Sequence, residues 1–392
     1  MAKAGKERFV SIGVGMGDAF FLQKGDHSVL VDGGKAEREF PVQFQRVIRR
    51  SCADVLVCTH NDADHANGIL GFLRAGLTCN EVWLPGIWTD RLEDLLSHPE
   101  EFMDELILNV LETEDEDNKT LSLLDKLEAQ YSEMEEWEDR EKGEVADADV
   151  LHMAFEKAAQ REAFWSIVSW LPFSWLLQKK SSKFWRIFHG SQAQYRLLSQ
   201  AVFAAARIRE IALSAYHSGT TIRWFEYDRK SSFGGIADFL IPLNAREIFQ
   251  IRQRRWTALQ FLALTKSNKE SLVFLSPQND TEPAVLFSAD SDLSFSQKIP
   301  WSASMIVTAP HHGSEANANA YKRFQRDTRN KYRAFWVRSD GRFRSRPGPT
   351  YLGTASRFCT LCRNSKYPKQ NVRMVVNSGR WQPLFTKKCV CT

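Results

Sequence analysis

The chain is 392 residues long, with 43 % hydrophobic and 26 % charged residues and a formal net charge of +4. These proportions exclude a wholly disordered chain, a collagen-like repeat and a small disulfide scaffold. The most apolar stretch, residues 164–177, is interrupted by Pro172 and falls short of the roughly 20 apolar residues that a spanning helix needs, so no membrane span is expected.

Along the chain, residues 1–6 carry no apolar signal-peptide core. Residues 9–14, 19–23 and 28–31 read as short strands separated by glycine and charged turns. A helix follows, with apolar Val42, Phe44, Val47 and Ile48. Residues 54–58, DVLVC, form a continuous apolar run of the kind buried on both faces of a sheet. A polar loop, residues 59–67, comes directly after it. Ligands of open α/β sheets sit beyond the carboxyl ends of strands, so chemistry is expected there.

From about residue 91 to 217 helical patterns replace strand texture. Leu124, Leu127, Tyr131 and Met134 step by three or four residues, as do Leu198, Val202, Ala205, Ile208 and Ala212. The first half of this stretch is acidic and the second carries Trp165, Trp170, Trp175 and Trp185, which read as helix core in preference to a membrane or partner surface. Strand texture returns at residues 221–227, 272–275, 284–287, 305–307, 335–338 and 372–376. The expected organisation is one domain from residues 1–90 and 216–392, with residues 91–215 as a helical insertion that regulates the domain or recruits a protein partner.

Charge is unevenly distributed. Residues 93–149 hold 22 acidic and 4 basic side chains, whereas residues 321–392 hold 18 basic and 2 acidic ones. The basic region suits an anionic partner such as nucleic acid, or forms a solvated face that pairs with the acidic stretch. Seven cysteines, an odd number in a long chain, argue for reduced thiols in a cytoplasmic protein. Cys359-Thr-Leu-Cys362 and Cys389-Val-Cys391 together form a structural zinc site or are plain thiols.

The strongest chemical signal is Thr59-His60-Asn61-Asp62-Ala63-Asp64-His65, with four potential metal ligands within six residues. Imidazole and carboxylate together suit zinc, manganese or iron. The alternative, a polar loop with capping aspartates, explains the two histidines poorly. Asp290 follows one later apolar run, and His311-His312-Gly313-Ser314 follows another. Three ligand-bearing strand ends are the raw material of a two-metal centre.

Several segments then point one way: Gly13-Val-Gly-Met-Gly-Asp18, Leu30-Val-Asp32-Gly33-Gly34, the THNDADH loop, Asn268-Lys-Glu-Ser271, Ser288-Ala-Asp290 and His311-His-Gly-Ser314. In this order they resemble a metallo-β-lactamase-fold hydrolase, and most of all the branch containing the soluble domain of the DNA-uptake competence protein ComEC. The resemblance spans residues 8–90 and 215–392. It implies an α/β fold, an αββα sandwich with a dinuclear site at one edge and a large helical insertion. By position, His60 and Asp62 would bind one ion and Asp64 and His65 the other. Asp290 would bridge, His311 would complete the second site, and Asp18 and Asp32 would order the ligands from behind. Asp62 stands where the widespread pattern has histidine, and the family's middle histidine has no obvious equivalent. An oxygen-rich site moves the preference from Zn²⁺ toward Mn²⁺.

The expected reaction is metal-assisted hydrolysis with two divalent ions, Zn²⁺ or Mn²⁺, as cofactors and Asp64 as an essential residue. His312 is a candidate proton donor, or instead a ligand or a hydrogen-bonded structural residue. Arg342, Arg344 and Arg346 are expected to clamp substrate phosphate, or are exposed loop charges. A phosphodiester in nucleic acid is the preferred substrate. The alternatives are a small-molecule hydrolase acting on a lactone, thioester or cyclic nucleotide, and a partner-regulated effector or scaffold. Stand-alone proteins resembling this branch accompany sensor or protease genes in bacterial defence, which makes an effector role an expectation by analogy.

Overall fold

The computed structural model of the protein describes residues 8–113, 144–146, 148–165, 191–253, 256–280 and 282–391. The pattern at Leu124 to Met134, most of the acidic run, and Trp170, Trp175, Trp185 and His189 lie outside the described residues, as do the side chain of Trp165 and residues 1–7.

In chain order the elements are β1 (Arg8–Ser11), β2 (Phe20–Lys24), β3 (His27–Val31), α1 (Phe40–Ile48), β4 (Cys52–Val57), α2 (Ala63–Arg74) and β5 (Thr78–Pro85). Next come α3 (Thr89–Ser97), α4 (Pro99–Glu112), β6 (Glu144–Ala146), α5 (Ala148–Trp165) and α6 (Gln192–His217). They are followed by β7 (Thr221–Tyr227), β8 (Ile241–Pro242), β9 (Ala245–Ile248), β10 (Ile251–Gln253), α7 (Ala258–Thr265), β11 (Phe274–Ser276), β12 (Val285–Phe287) and β13 (Ile306–Thr308). The last are α8 (Ala318–Thr328), β14 (Phe335–Arg338), α9 (Pro349–Leu352), β15 (Arg357–Cys359), β16 (Val372–Asn377) and β17 (Arg380–Pro383). The chain is thus of mixed α/β class. Among the described residues it divides into two compact units.

The first unit comprises Met1–Pro85, Thr220–Glu247 and Asn268–Thr392. Among the described residues, one sheet has nine strands in the order β17-β16-β1-β2-β3-β4-β5-β7-β9, and a second has six in the order β15-β14-β13-β12-β11-β8. Side chains alternate between faces along a strand, and burial follows that period. Phe20, Leu22, Val55 and Val57 of the first sheet share one hydrophobic cluster with Phe274, Val285, Phe287 and Val337 of the second. Phe21, on the opposite face from Phe20, meets Phe44 of α1, which meets Phe72 of α2. Leu275, Leu286, Val307 and Trp336 point the other way and cluster with Tyr321 and Phe324 of α8. Two exposed faces would each leave large apolar areas in water; helices cover both.

Strands β3, β4, β5 and β7 run parallel, as do β12, β13, β14 and β15. Parallel neighbours deliver their carboxyl ends to one edge. Asp32 therefore follows β3, the THNDADH loop follows β4, Asp290 follows β12, the two histidines follow β13, and Ser339 follows β14.

The second unit comprises Gly86–Gly219 and Ile248–Ser267. Its α6 buries Leu198, Val202, Ala205, Ile208 and Ala212, the stripe read from the sequence. It is not a single segment of chain, because residues 248–267 return to it. The hairpin-like ribbon of β6 and β10 pairs Ile251 with Ala146 and Gln253 with Glu144. The start of α7 is held by its own capping box, Thr257 and Gln260, and by Glu105 of α4, which accepts from the Ala258 N–H at 2.8 Å. No described helix is long and apolar enough to cross a membrane.

Candidate metal centre

The loop after β4 is fixed by Asp32. One carboxylate oxygen of Asp32 accepts the Thr59 N–H at 2.9 Å, and the other accepts the Thr59 hydroxyl at 2.8 Å and pairs with His65 Nδ1 at 2.8 Å. Thr59 Oγ1, having donated to Asp32, lies 3.0 Å from His60 Nδ1 and accepts a hydrogen bond from its N–H. On the other side, Asp18 Oδ1 lies 3.0 Å from His312 Nδ1, which also faces the Ser339 carbonyl at 3.0 Å. In all three histidines Nδ1 is engaged from behind. Such contacts fix the ring and the tautomer, leaving Nε2 free to act as a ligand.

The free nitrogens converge on Asp290. His65 Nε2 is 3.2 Å and His312 Nε2 4.0 Å from Asp290 Oδ1, while His60 Nε2 is 3.9 Å and His311 Nε2 3.7 Å from Oδ2. Asp64 Oδ2 lies 3.3 Å from His312 Nε2, and Asp62 Oδ2 lies 3.9 Å from His60 Nε2. Atoms bound to one ion at about 2.0–2.2 Å stand roughly 3.0–3.6 Å apart; the His65–Asp290 and His312–Asp64 spacings fall in that range, and the other four exceed it by up to about 0.4 Å. Asp18, His65, Asp290 and His312 are all buried and bring one ligand atom each within 4.8 Å of one another.

Five buried atoms here have no hydrogen-bond partner among the described residues: Asp18 Oδ2, His60 Nε2, His65 Nε2, Asp290 Oδ1 and His312 Nε2. Leaving a buried polar atom unmet costs about 1–3 kcal/mol; here His65 Nε2 and Asp290 Oδ1 have each other, and His312 Nε2 has Asp64, as their nearest ion-pair neighbours, contacts that a cation bound among them would replace. The electrostatics agree. Burial alone would lower His65 and His312, yet Asp290 and Asp32 hold the first, and Asp18 and Asp290 the second, well above the ordinary histidine value. Burial would raise Asp290, and the surrounding His311, His65 and His312 hold it well below the carboxylate range. In the same pocket burial lowers His60 and raises Asp18, so the metal-free carboxylates are balanced by protons on His65 and His312, which a divalent ion would displace.

The backbone around these groups is strained. Asp32 (φ 58°), Ala289 (φ 46°), His311 (φ 44°) and His312 (φ 54°) all adopt the left-handed conformation that non-glycine residues avoid. Such residues cost on the order of 1–3 kcal/mol each and collect where function imposes a geometry. Close backbone contact completes the edge. A Cβ on Gly17 (φ +90°) would fall 1.7 Å from the Asp64 carbonyl, which accepts the Asp18 N–H at 3.1 Å.

Sequence-predicted positions divide as follows. His60, Asp62, Asp64, His65, Asp290 and His311 come together, with Asp32 behind them. Asp18 stands behind His312 and also offers its second oxygen to the cluster. His312 is buried among the ligand atoms, and His311 rather than His312 is the one with partial exposure. The pairing differs from the one implied by position: His311 faces the Asp290 oxygen on the His60 side, and His312 faces the one on the His65 side. Residues unassigned from the sequence also contribute. Ser271 Oγ accepts the Asp290 N–H at 3.1 Å, and Asn317 donates to the Asp290 carbonyl at 2.7 Å. The Asn268-to-Ser271 segment carried that signal without showing its contact.

The arginine loop is not uniform. Arg342 spends its guanidinium on the Cys362 and Tyr367 carbonyls, both at 3.0 Å. Arg346 lies 3.3 Å from the buried Asp340 carboxylate and stacks over Phe343 at 4.6 Å. Arg344 is exposed. The chain matches no protein-family model and no curated protein.

Proposed function

We propose that the chain is a hydrolase of the metallo-β-lactamase fold, an αββα sandwich most like the ComEC branch, that uses two divalent ions to cleave phosphodiesters in nucleic acid. The observation that carries this reading is the buried cluster of His60, His65, His312, Asp18 and Asp290, in which three imidazoles are oriented through Nδ1 and present Nε2 toward the Asp290 carboxylate. Asp64, His65, His312 and one Asp290 oxygen would hold one ion, with Asp18 beside them in the buried group; His60, Asp62, His311 and the other oxygen would hold the second. Bound there, divalent ions supply Lewis acidity toward a phosphoryl oxygen and a nucleophilic water at neutral pH.

The chain's own residues do the positioning. Asp32, Thr59 and Asp18 fix three imidazole rings, and Ser271 and Asn317 hold the backbone on both sides of the Asp290 carboxylate. The basic region 321–392 supports an anionic substrate, with Arg344 the arginine of its loop best placed to meet phosphate from solvent. A small-molecule substrate is the competing reading. Elemental analysis of the purified protein, coupled to cleavage assays on single- and double-stranded oligonucleotides with Mn²⁺ and with Zn²⁺, tests the proposal. Two equivalents of metal at the His/Asp centre and metal-dependent cleavage lost in Asp290→Ala are expected. Metal-replete protein that cleaves no oligonucleotide but hydrolyses a lactone or thioester would overturn the substrate, and Asp290→Ala with full metal content would overturn the centre.

A further inference from the structure

A second cluster lies on residues that the His/Asp centre does not use. Cys359, Cys362, Cys389 and Cys391 are buried, none is in a disulfide, and their four sulfurs all lie within 4.8 Å of one another. The sequence placed the two pairs 27 residues apart, from Cys362 to Cys389. Tertiary structure joins them in a simple way. Cys359 ends β15, and the tail runs antiparallel beside that strand, with Phe358 bridged to Lys388 and the Cys389 N–H donating to the Arg357 carbonyl at 2.9 Å. In an extended segment alternate residues share a face, so Cys389 and Cys391 point inward together while Val390 is exposed. The turn after β15 brings Cys362 round to the same point, with its Sγ 3.4 Å from that of Cys391.

We propose that these four cysteines bind one structural Zn²⁺ as thiolates, and that the ion clamps the C-terminal tail onto the loop carrying Arg342 and Arg344. A tetrahedral zinc with bonds of about 2.3 Å sets its sulfurs roughly 3.8 Å apart, which fits a cluster of this size. Two amides already address the sulfurs: the Arg363 N–H donates to Cys391 Sγ at 3.2 Å, and the Cys391 N–H to Cys389 Sγ at 3.4 Å. Four thiolates around Zn²⁺ carry a net charge of 2−, and a buried cation stands beside them. Arg338 is 1 % exposed, and its Nε and Nη1 have no hydrogen-bond partner among the described residues. Its Nη2 donates to the Leu361 carbonyl, inside the turn between Cys359 and Cys362, at 2.9 Å. Asp340, 3.5 Å away, is shared with Arg346, so a second anion is what this guanidinium lacks.

The clamp reaches the substrate side of the sheet through backbone contacts. Arg342 holds the Cys362 carbonyl, and Arg363 reaches back to the carbonyls of Phe343 and Arg344. Binding four thiols releases their protons and ties the turn after β15 to the C-terminal tail, adding to the hydrophobic cluster in which all four cysteines already take part.

The test uses the full chain and does not depend on catalysis. In a His65→Ala/Asp290→Ala background, one equivalent of zinc should remain. Replacing it with Co²⁺ should give sulfur-to-cobalt charge-transfer absorption in the near ultraviolet, unchanged by the His/Asp substitutions. Cys389→Ser/Cys391→Ser should lose that equivalent and that absorption. Because this variant can fail to fold, the unaltered protein is also titrated with a thiol-selective mercurial in the presence of a chromogenic zinc indicator, and one equivalent should be released. Absence of zinc in the His65→Ala/Asp290→Ala protein, bound iron in its place, or an unreduced mass showing disulfides between these cysteines would overturn the proposal.

Discussion

Replacing Asp32 by asparagine separates the orienting role of this carboxylate from its bulk. Asparagine is isosteric and tolerates the left-handed backbone found at Asp32. Its oxygen can still accept the Thr59 N–H. Its amide, however, presents two donors where the carboxylate accepted the Thr59 hydroxyl and His65 Nδ1, both at 2.8 Å. His65 is fully buried and cannot turn to water, so Nδ1 must become an acceptor and Nε2 must carry the proton. That is the wrong tautomer for a ligand. Exchanging two buried hydrogen bonds to a carboxylate for neutral ones of reversed direction predicts destabilisation of the metal-free protein by about 1–3 kcal/mol. Loss of the contact behind a ligating histidine predicts metal binding weakened by about 10–100-fold, or roughly 1.4–2.8 kcal/mol. Thermal unfolding in chelator measures the first, and competition against a chromogenic chelator the second. Cleavage should recover in part at high Mn²⁺. Asp32→Asn protein with metal affinity equal to that of the unaltered chain would refute the argument that Asp32 sets the tautomer, whatever its stability.

Asp64→Ala should fold, lose bound metal and abolish cleavage, as read from elemental analysis, circular dichroism and a nuclease assay. Arg344→Gln should raise KM and lower the salt slope of oligonucleotide binding by about one ion, with kcat and metal content unchanged. Arg346→Gln should instead lower thermal stability, by about 1–2 kcal/mol, because it strips the buried Asp340 of a partner and removes the stacking on Phe343; equal effects of the two substitutions on the salt slope would contradict this division. Gly17→Ala should destabilise the chain by roughly 2–4 kcal/mol and reduce metal binding, since its Cβ would strike the Asp64 carbonyl at a backbone angle alanine avoids; an unchanged melting temperature and metal content would show that the loop yields.

The sequence by itself determined what is written locally. The apolar run before Thr59 is a strand because a segment buried on both faces has no polar period, and four ligand-type residues packed into its following loop could not all be caps. Phe335–Arg338 and Thr221–Tyr227 are legible from their β-branched and aromatic residues, and the α6 stripe from Leu198 to Ala212 from its three-to-four-residue step. Tertiary structure decided which of these local pieces meet. Periodicity carries no signal for the return of residues 248–267 to the helical unit, where the partners of Ala258 and Ile251 lie more than a hundred residues earlier. Nor does it show that Arg342 reaches two carbonyls and Arg346 reaches Asp340, since in a loop without regular structure side-chain direction follows the contacts and not the spacing. The division of labour among the histidines has the same origin. His311 and His312 are neighbours in sequence, yet Asp18, 294 residues from His312, buries one and leaves the other at the rim. The two cysteine pairs were ambiguous for as long as nothing said where the tail goes; pairing of Lys388 with Phe358 in β15 removes the ambiguity, because a strand register fixes both the distance and the face.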